Sequence, residues 1–208
     1  MKITELYNLL CRLYGVFPNL DITHFVMMLS PNAEENPIRS RLLGREALLI
    51  HEAGGCLELG LFLDPSILTA LEPCDVLNHL DEFACACEGV SHFLYVVDRA
   101  QKEKKISRLE LELQGEVDKF LLIHLIAARQ NGAVAPSFFE RLFEQHRFDR
   151  HLSPEDRNRY EQASYFAAKY CFFLRQRFFN PLRLGELMPQ ARDFFSRDFT
   201  SKLALLIP

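Results

Sequence analysis

Apolar residues recur every three or four positions along most of this chain and alternate along only a short part of it. Leu6, Leu9, Leu10 and Leu13 share one face of a helix that Thr4 would cap and Gly15 would end. Residues 17–29 read as loop and strand, with β-branched and aromatic character at Ile22, Thr23, Phe25 and Val26. Residues 30–36 read as a Pro/Asn/Glu loop. Two apolar-rich runs follow, 46–52 and 56–63, separated by Ala53-Gly54-Gly55. A glycine pair supplies the positive φ that tight hairpin turns require, so these runs predict a β-hairpin.

Helical punctuation then takes over. Asp64-Pro65 places an N-cap before a proline at the first helical position, opening a short helix that ends near Glu72-Pro73. Asp75 would cap the next helix, over 75–99. Ser107 and Glu110 form a capping-box spacing that opens a helix over 107–130. Alternation from Leu109 to Leu113 would suit a strand, but the cap and the apolar continuation favour a helix. Ser137 and Glu140 open a short helix to about residue 145, and Ser153-Pro154 a longer one to about residue 179, stopped by Asn180-Pro181. Short helices near 189–196 and 201–206 complete the pattern. The expectation is a mainly α fold (α+β): a bundle-like core of about five to seven helices with a small N-terminal antiparallel hairpin. Residues 1–73 form a helix-plus-hairpin subdomain and 74–208 a helical domain, together one compact unit.

Composition changes this picture little. An apolar share of 49% with 25% charged residues is ordinary for a globular chain and argues against disorder. Eighteen Phe and no Trp point to aromatic rings used in a core or against a partner, since Phe carries no polar handle. The N-terminus, Met1-Lys2-Ile3-Thr4-Glu5, has no basic stretch leading into an apolar run, so no secretory signal is read there. Six cysteines without such a signal read as reduced thiols of a cytoplasmic protein, and Cys85-x-Cys87 does not match a zinc or redox spacing. No apolar run has the length of a membrane span. The net charge of −4 divides unevenly, −8 over residues 1–128 and +4 over 129–208. Two attracting halves, or an acidic partner for the second half, would explain the division.

The candidate chemistry lies in the two central helices. At 100° per residue Asp81, Cys85, Glu88, His92 and Arg99 fall within about 40° of one line. On the next helix Glu112, Glu116 and Lys119 share a face, while Leu113, Val117, Phe120 and His124 share the opposite one. Antiparallel packing would let Glu88, His92, Glu112 and Glu116 meet between the helices, as the donors of helical-bundle metal sites do. The Glu-x-x-His spacing of di-iron bundles is absent. The preferred reading is therefore a solvated stripe, Asp81, Glu88 and His92 in water with Arg99 as an ion-pair partner, and His124 a neutral core residue.

Arg175, Arg177 and Arg183, interleaved with Phe172, Phe173, Phe178 and Phe179, are the candidate partner surface. His146, Arg147, Arg150, His151, Arg157 and Arg159 add a basic turn. No nucleophile elbow and no phosphate-binding glycine loop is present. The expectation is a non-catalytic cytoplasmic adaptor or regulatory protein that binds another protein with an acidic surface through Arg175, Arg177 and Arg183. The alternative is a metal- or carboxylate-dependent enzyme using Glu88, His92, Glu112, Glu116 and His124, with a divalent metal as its cofactor. A nucleic-acid-binding accessory role for the basic half ranks third.

Overall fold

Strand order β1-β3-β2 and eight helices make up the described part of the chain, which in the computed structural model is residues 1–27, 45–131, 137–145 and 152–206. The strands are β1 (Val26–Met27), β2 (Glu46–Ala53) and β3 (Cys56–Leu63). The helices are α1 (Ile3–Tyr14), α2 (Pro65–Leu71), α3 (Leu80–Gln101), α4 (Arg108–Asn131), α5 (Ser137–Phe143), α6 (Pro154–Phe178), α7 (Leu184–Ser196) and α8 (Phe199–Ala204). The expected mainly α fold with a small sheet is observed.

The hairpin forms as its sequence requires. Gly54 and Gly55 both have positive φ, 59° and 79°, and Ala53 pairs with Cys56 across them. Glu46 thereby lies opposite Leu63 at the far end of the ladder, where the sheet meets α3. The side chains of β3 change from exposed at Cys56 to buried at Leu61 and Leu63, so only this end of the hairpin is packed. The sheet is mixed, not purely antiparallel: Val26 and Met27 add a short parallel strand on β3. The strand expected over 22–26 is for the most part a 3-10 turn, Ile22–His24, because the Asp21 carboxylate accepts from the Thr23 amide and curls the chain. The loop expected at 30–36 lies outside the described residues.

Several helix ends differ from the expected ones for local reasons. Lys2 precedes α1, and Glu5 reaches back to the Lys2 amide at 2.7 Å, so Thr4 lies inside the helix. Asp75 closes a turn by accepting from the amide and side chain of Asn78, and α3 begins only at Leu80. Ser107 does cap α4, its hydroxyl accepting from the Glu110 amide at 3.1 Å. Helix α7 starts at Leu184 and runs through Pro189; the carbonyl left without a donor belongs to exposed Gly185, where water reaches it. Asp198 caps α8, which starts at Phe199, two residues before the expected 201.

Helix α3 is the hub. It packs against α1, α2, α4 and both long strands, while α6 covers the other side of α4. Phe83, Phe93 and Leu94 of α3 and Phe120 and Leu121 of α4 are wholly buried. All six cysteines are free thiols. Among the described residues no helix is long and apolar enough to cross a membrane.

Candidate functional site

Between α3 and α4 the cross-helix pairs are Tyr95 with Glu110, His92 with Glu112, Ser91 with Asp118 and Glu88 with Lys119. As the first number falls the second rises, so the two helices run antiparallel. Their polar side chains do not lie in water. His92, Arg99, Glu110, Glu112, Glu116, Asp118 and Lys119 are all buried. The solvated-stripe reading is thus overturned: only Asp81, in the first turn of α3, is exposed as expected. The reason is the cover supplied by β2 on one side and α6 on the other, which a helical wheel drawn on α3 and α4 does not include.

Buried charges of this number fall into two networks with different electrostatics. The first is a cage of Glu46, Glu88, His92, Glu112, Glu116, Lys119 and Arg159. Lys119 Nζ donates to Glu88 Oε2 at 2.9 Å and to Glu116 Oε1 at 2.7 Å. Burial alone would lower this lysine, but Glu116 and Glu88 outweigh it and hold the ammonium above its ordinary range. Arg159, from α6, places Nε 3.5 Å from Glu112 Oε1. His92 Nε2 lies 3.6 Å from Glu112 Oε2, too long for a hydrogen bond, and has no other polar partner. Glu46 reaches in from β2; its stem is partly exposed, yet its Oε2 is enclosed and lacks a partner. One donor atom each from Glu46, Glu88 and His92 lie within 4.8 Å of one another.

Four carboxylates share this cage with two permanent cations, and Arg159 is also held by Asp156 at 2.6 Å, so full ionisation would leave negative charge in excess and two of the acids keep their protons instead. Burial and the neighbouring Glu88 push Glu112 up to about 8. Burial, then Glu88 and Glu112, raise Glu46 well above the carboxylate range. Burial also lowers His92, so its imidazole is neutral and keeps a lone pair to donate. The space around the two orphan atoms depends on glycine. A Cβ on Gly115 would fall 2.8 Å from His92 Nε2, and one on Gly89 would fall 2.9 Å from Glu46 Oε2. Both glycines sit inside long helices, where each costs about 1 kcal/mol relative to alanine. Their presence lets the imidazole and the carboxylate approach the helix backbones.

The second network leaves only Arg99 Nε without a partner. Tyr95 Oη donates to Glu110 at 2.6 Å and accepts from Arg99 and from Lys202. Lys202 Nζ also donates to Gln114 Oε1 at 2.6 Å. The Gln114 amide donates to Asp118 at 2.8 Å, and Ser91 and Tyr14 hydroxyls donate to the same carboxylate. Arg99 donates further to the carbonyls of Phe195, Ser196 and Arg197, satisfying the C-terminal end of α7. Arg99 and protonated Lys202 balance Glu110 and Asp118. Burial pushes Asp118 up to about 6 against the three hydrogen bonds that lower it. This network ties α1, α3, α4, α7 and α8 together and leaves little for a ligand to satisfy.

His124 belongs to neither. It is fully enclosed by Phe120, Phe138 and Phe179, its Nδ1–H donating to the Phe120 carbonyl at 2.8 Å. Its expected role as a neutral core residue fits this geometry, and the structure does not bring it to the Glu88 cluster. Burial lowers its pKa to about 4. A histidine depressed in the folded state contributes stability that is whole above about 6.5 and is lost as pH falls toward its folded value. Acidification from pH 6.5 to 4 is therefore expected to cost up to about 3 kcal/mol through this residue. Urea unfolding of His124→Leu across that range should show a correspondingly flatter pH dependence.

The three arginines of the candidate partner surface differ in their surroundings. Arg175 is half-buried, paired with Glu140 at 3.1 Å and stacked 4.5 Å over the Phe139 ring. Arg177 is exposed, and Arg183 faces Glu186 at 3.8 Å. The basic turn over 146–151 lies outside the described residues. Sequence reasoning missed Glu46, Arg159, Tyr95, Gln114, Asp118 and Lys202. A signal for some of them was present: Glu110-Leu-Glu-Leu-Gln-Gly-Glu-Val-Asp-Lys119 is polar on every side, which a helix covered by both neighbours can hold only in paired networks. Comparison with known protein families, with curated proteins and with solved structures finds no match for this chain.

Proposed function

We propose that the protein is a metalloprotein holding one divalent transition-metal ion at Glu46, Glu88 and His92, with Glu112 beside it. One observation carries this reading: a buried imidazole nitrogen and a buried carboxylate oxygen, neither with a hydrogen-bond partner, lie in one cage whose donor atoms from Glu46, Glu88 and His92 come within 4.8 Å of one another. Leaving such groups unsatisfied costs several kcal/mol, and a divalent cation would supply the missing contacts to both. A set of carboxylates plus imidazole suits zinc, manganese or iron better than calcium, which takes oxygen donors alone. Three protein donors leave a position for water or substrate, as catalytic metal sites do. This reading places the metal-dependent enzyme ahead of the adaptor.

Calorimetric titration of chelator-treated protein with Zn²⁺ and Mn²⁺ tests it. One ion per chain is expected, with a matching rise in the unfolding midpoint. The double variant Glu46→Gln, His92→Asn should lose at least about a hundredfold in affinity. Wild-type protein that takes up neither ion would refute the proposal.

The adaptor reading keeps support from α6. Tyr165, Lys169, Phe172, Phe173 and Arg177 are exposed along this helix, and Lys169 lies 4.7 Å over the Tyr165 ring. Aromatic rings bordered by cations match an acidic, amphipathic protein segment in charge and polarity. A labelled helical peptide with glutamate on one face and leucine on the other should bind, and Lys169→Glu with Arg177→Glu should weaken it at least about tenfold. Preference for a (dT)20 oligonucleotide over the peptide would move the surface to nucleic acid.

A further inference from the structure

Lys119 holds a position that no ordinary salt bridge needs. Its ammonium is 6% exposed and bridges Glu88 on α3 to Glu116 on its own helix. Glu88 is also one of the three groups whose donor atoms converge with Glu46 and His92. The same carboxylate therefore serves an internal cation and the proposed external one. Glu116 stands three residues before Lys119 on α4, so this second pair persists whichever way Glu88 turns.

We propose that Lys119 is the resident counter-cation of the site and sets its affinity and valence selectivity: a divalent ion enters by taking Glu88 from Lys119, which stays paired with Glu116. This rests on the metal reading above. A monovalent ion brings no more charge than the ammonium it must replace, so it gains nothing by entering. A divalent ion brings twice as much, shared among the carboxylates of Glu46, Glu88 and Glu112 around it. Lys119 thus keeps the metal-free protein folded and makes every divalent ion compete with a tethered rival.

The test uses the full chain as wild type, Lys119→Met and Lys119→Arg, titrated with Zn²⁺ alone in calorimetry. Lys119→Met is expected to bind Zn²⁺ at least about tenfold more tightly than wild type, while its metal-free form unfolds at lower urea. Lys119→Arg, which keeps the charge, should stay within about threefold of wild type. A lysine with a merely structural role would lower stability and affinity together. Wild-type binding of one Zn²⁺ with equal or weaker binding by Lys119→Met overturns this inference and leaves the metal site standing. Failure of wild type and Lys119→Met alike to bind Zn²⁺ overturns the metal site itself. If Lys119→Met does not fold without metal, refolding with Zn²⁺ decides: recovery supports the proposal, and failure to recover contradicts it.

Discussion

Truncating Lys202 to alanine is expected to destabilise the protein by about 3–5 kcal/mol. The ion pairs themselves are not the reason. Burial lowers this lysine to about 7 even with Glu110 nearby, so holding the ammonium inside already costs folding energy. What truncation removes is the group that completes its neighbours. Tyr95 Oη and Gln114 Oε1 each lose a donor, Glu110 keeps Arg99 as a nearby cation while Asp118 keeps only its neutral donors Ser91, Tyr14 and Gln114, and a side chain with no solvent exposure leaves a void. Lys202→Met refills the volume but not the polar contacts, so it should recover only part of the loss. Urea denaturation measures both; a cost below about 1 kcal/mol for the alanine variant would show that α8 is not held through this network.

The glycine pair gives the second large effect, with a sign opposite to the usual one. Gly→Ala inside a helix ordinarily stabilises by up to about 1 kcal/mol. Gly89→Ala is expected instead to cost about 1–3 kcal/mol. The new Cβ would meet Leu61 Cδ1 at 3.0 Å and Leu63 Cδ2 at 3.3 Å, and both leucines are fully buried on β3, so neither can withdraw. It would also displace Glu46, whose carboxylate can swing aside only by leaving the cage. Gly115→Ala presses on His92 Nε2 in the same way. Both variants should weaken Zn²⁺ binding at least about tenfold, measured beside their unfolding midpoints. Unchanged affinity with improved stability would mean that the glycines only relieve packing.

Much of the fold was legible because its signals are local. Gly54-Gly55, Asp64-Pro65, Ser107 and Ser153-Pro154 act on the residues beside them, and each does in the structure what its chemistry implies. Signals that depend on a competing local bond were misread: Asp75 reads as a helix cap but closes a turn on Asn78. The site was half legible. The convergence of Glu88, His92, Glu112 and Glu116 follows from antiparallel α3 and α4, which a short connection between two helices favours. Their burial does not follow, because it depends on β2 and α6. Glu46 comes from a strand whose exposed outer half, Ile50 to Ala53, resembles a solvated hairpin, and Lys202 from a helix more than eighty residues beyond Gln114. Spacing along one helix carries no information about either.

Crystals of the metal-free protein soaked in Zn²⁺ and recorded at the zinc absorption edge test the central claim most directly. One strong anomalous peak per chain is expected, bonded to His92 Nε2 and to oxygens of Glu46 and Glu88. A clean anomalous map at that position, with zinc bound only at surface histidines such as His51 or His79, would contradict it.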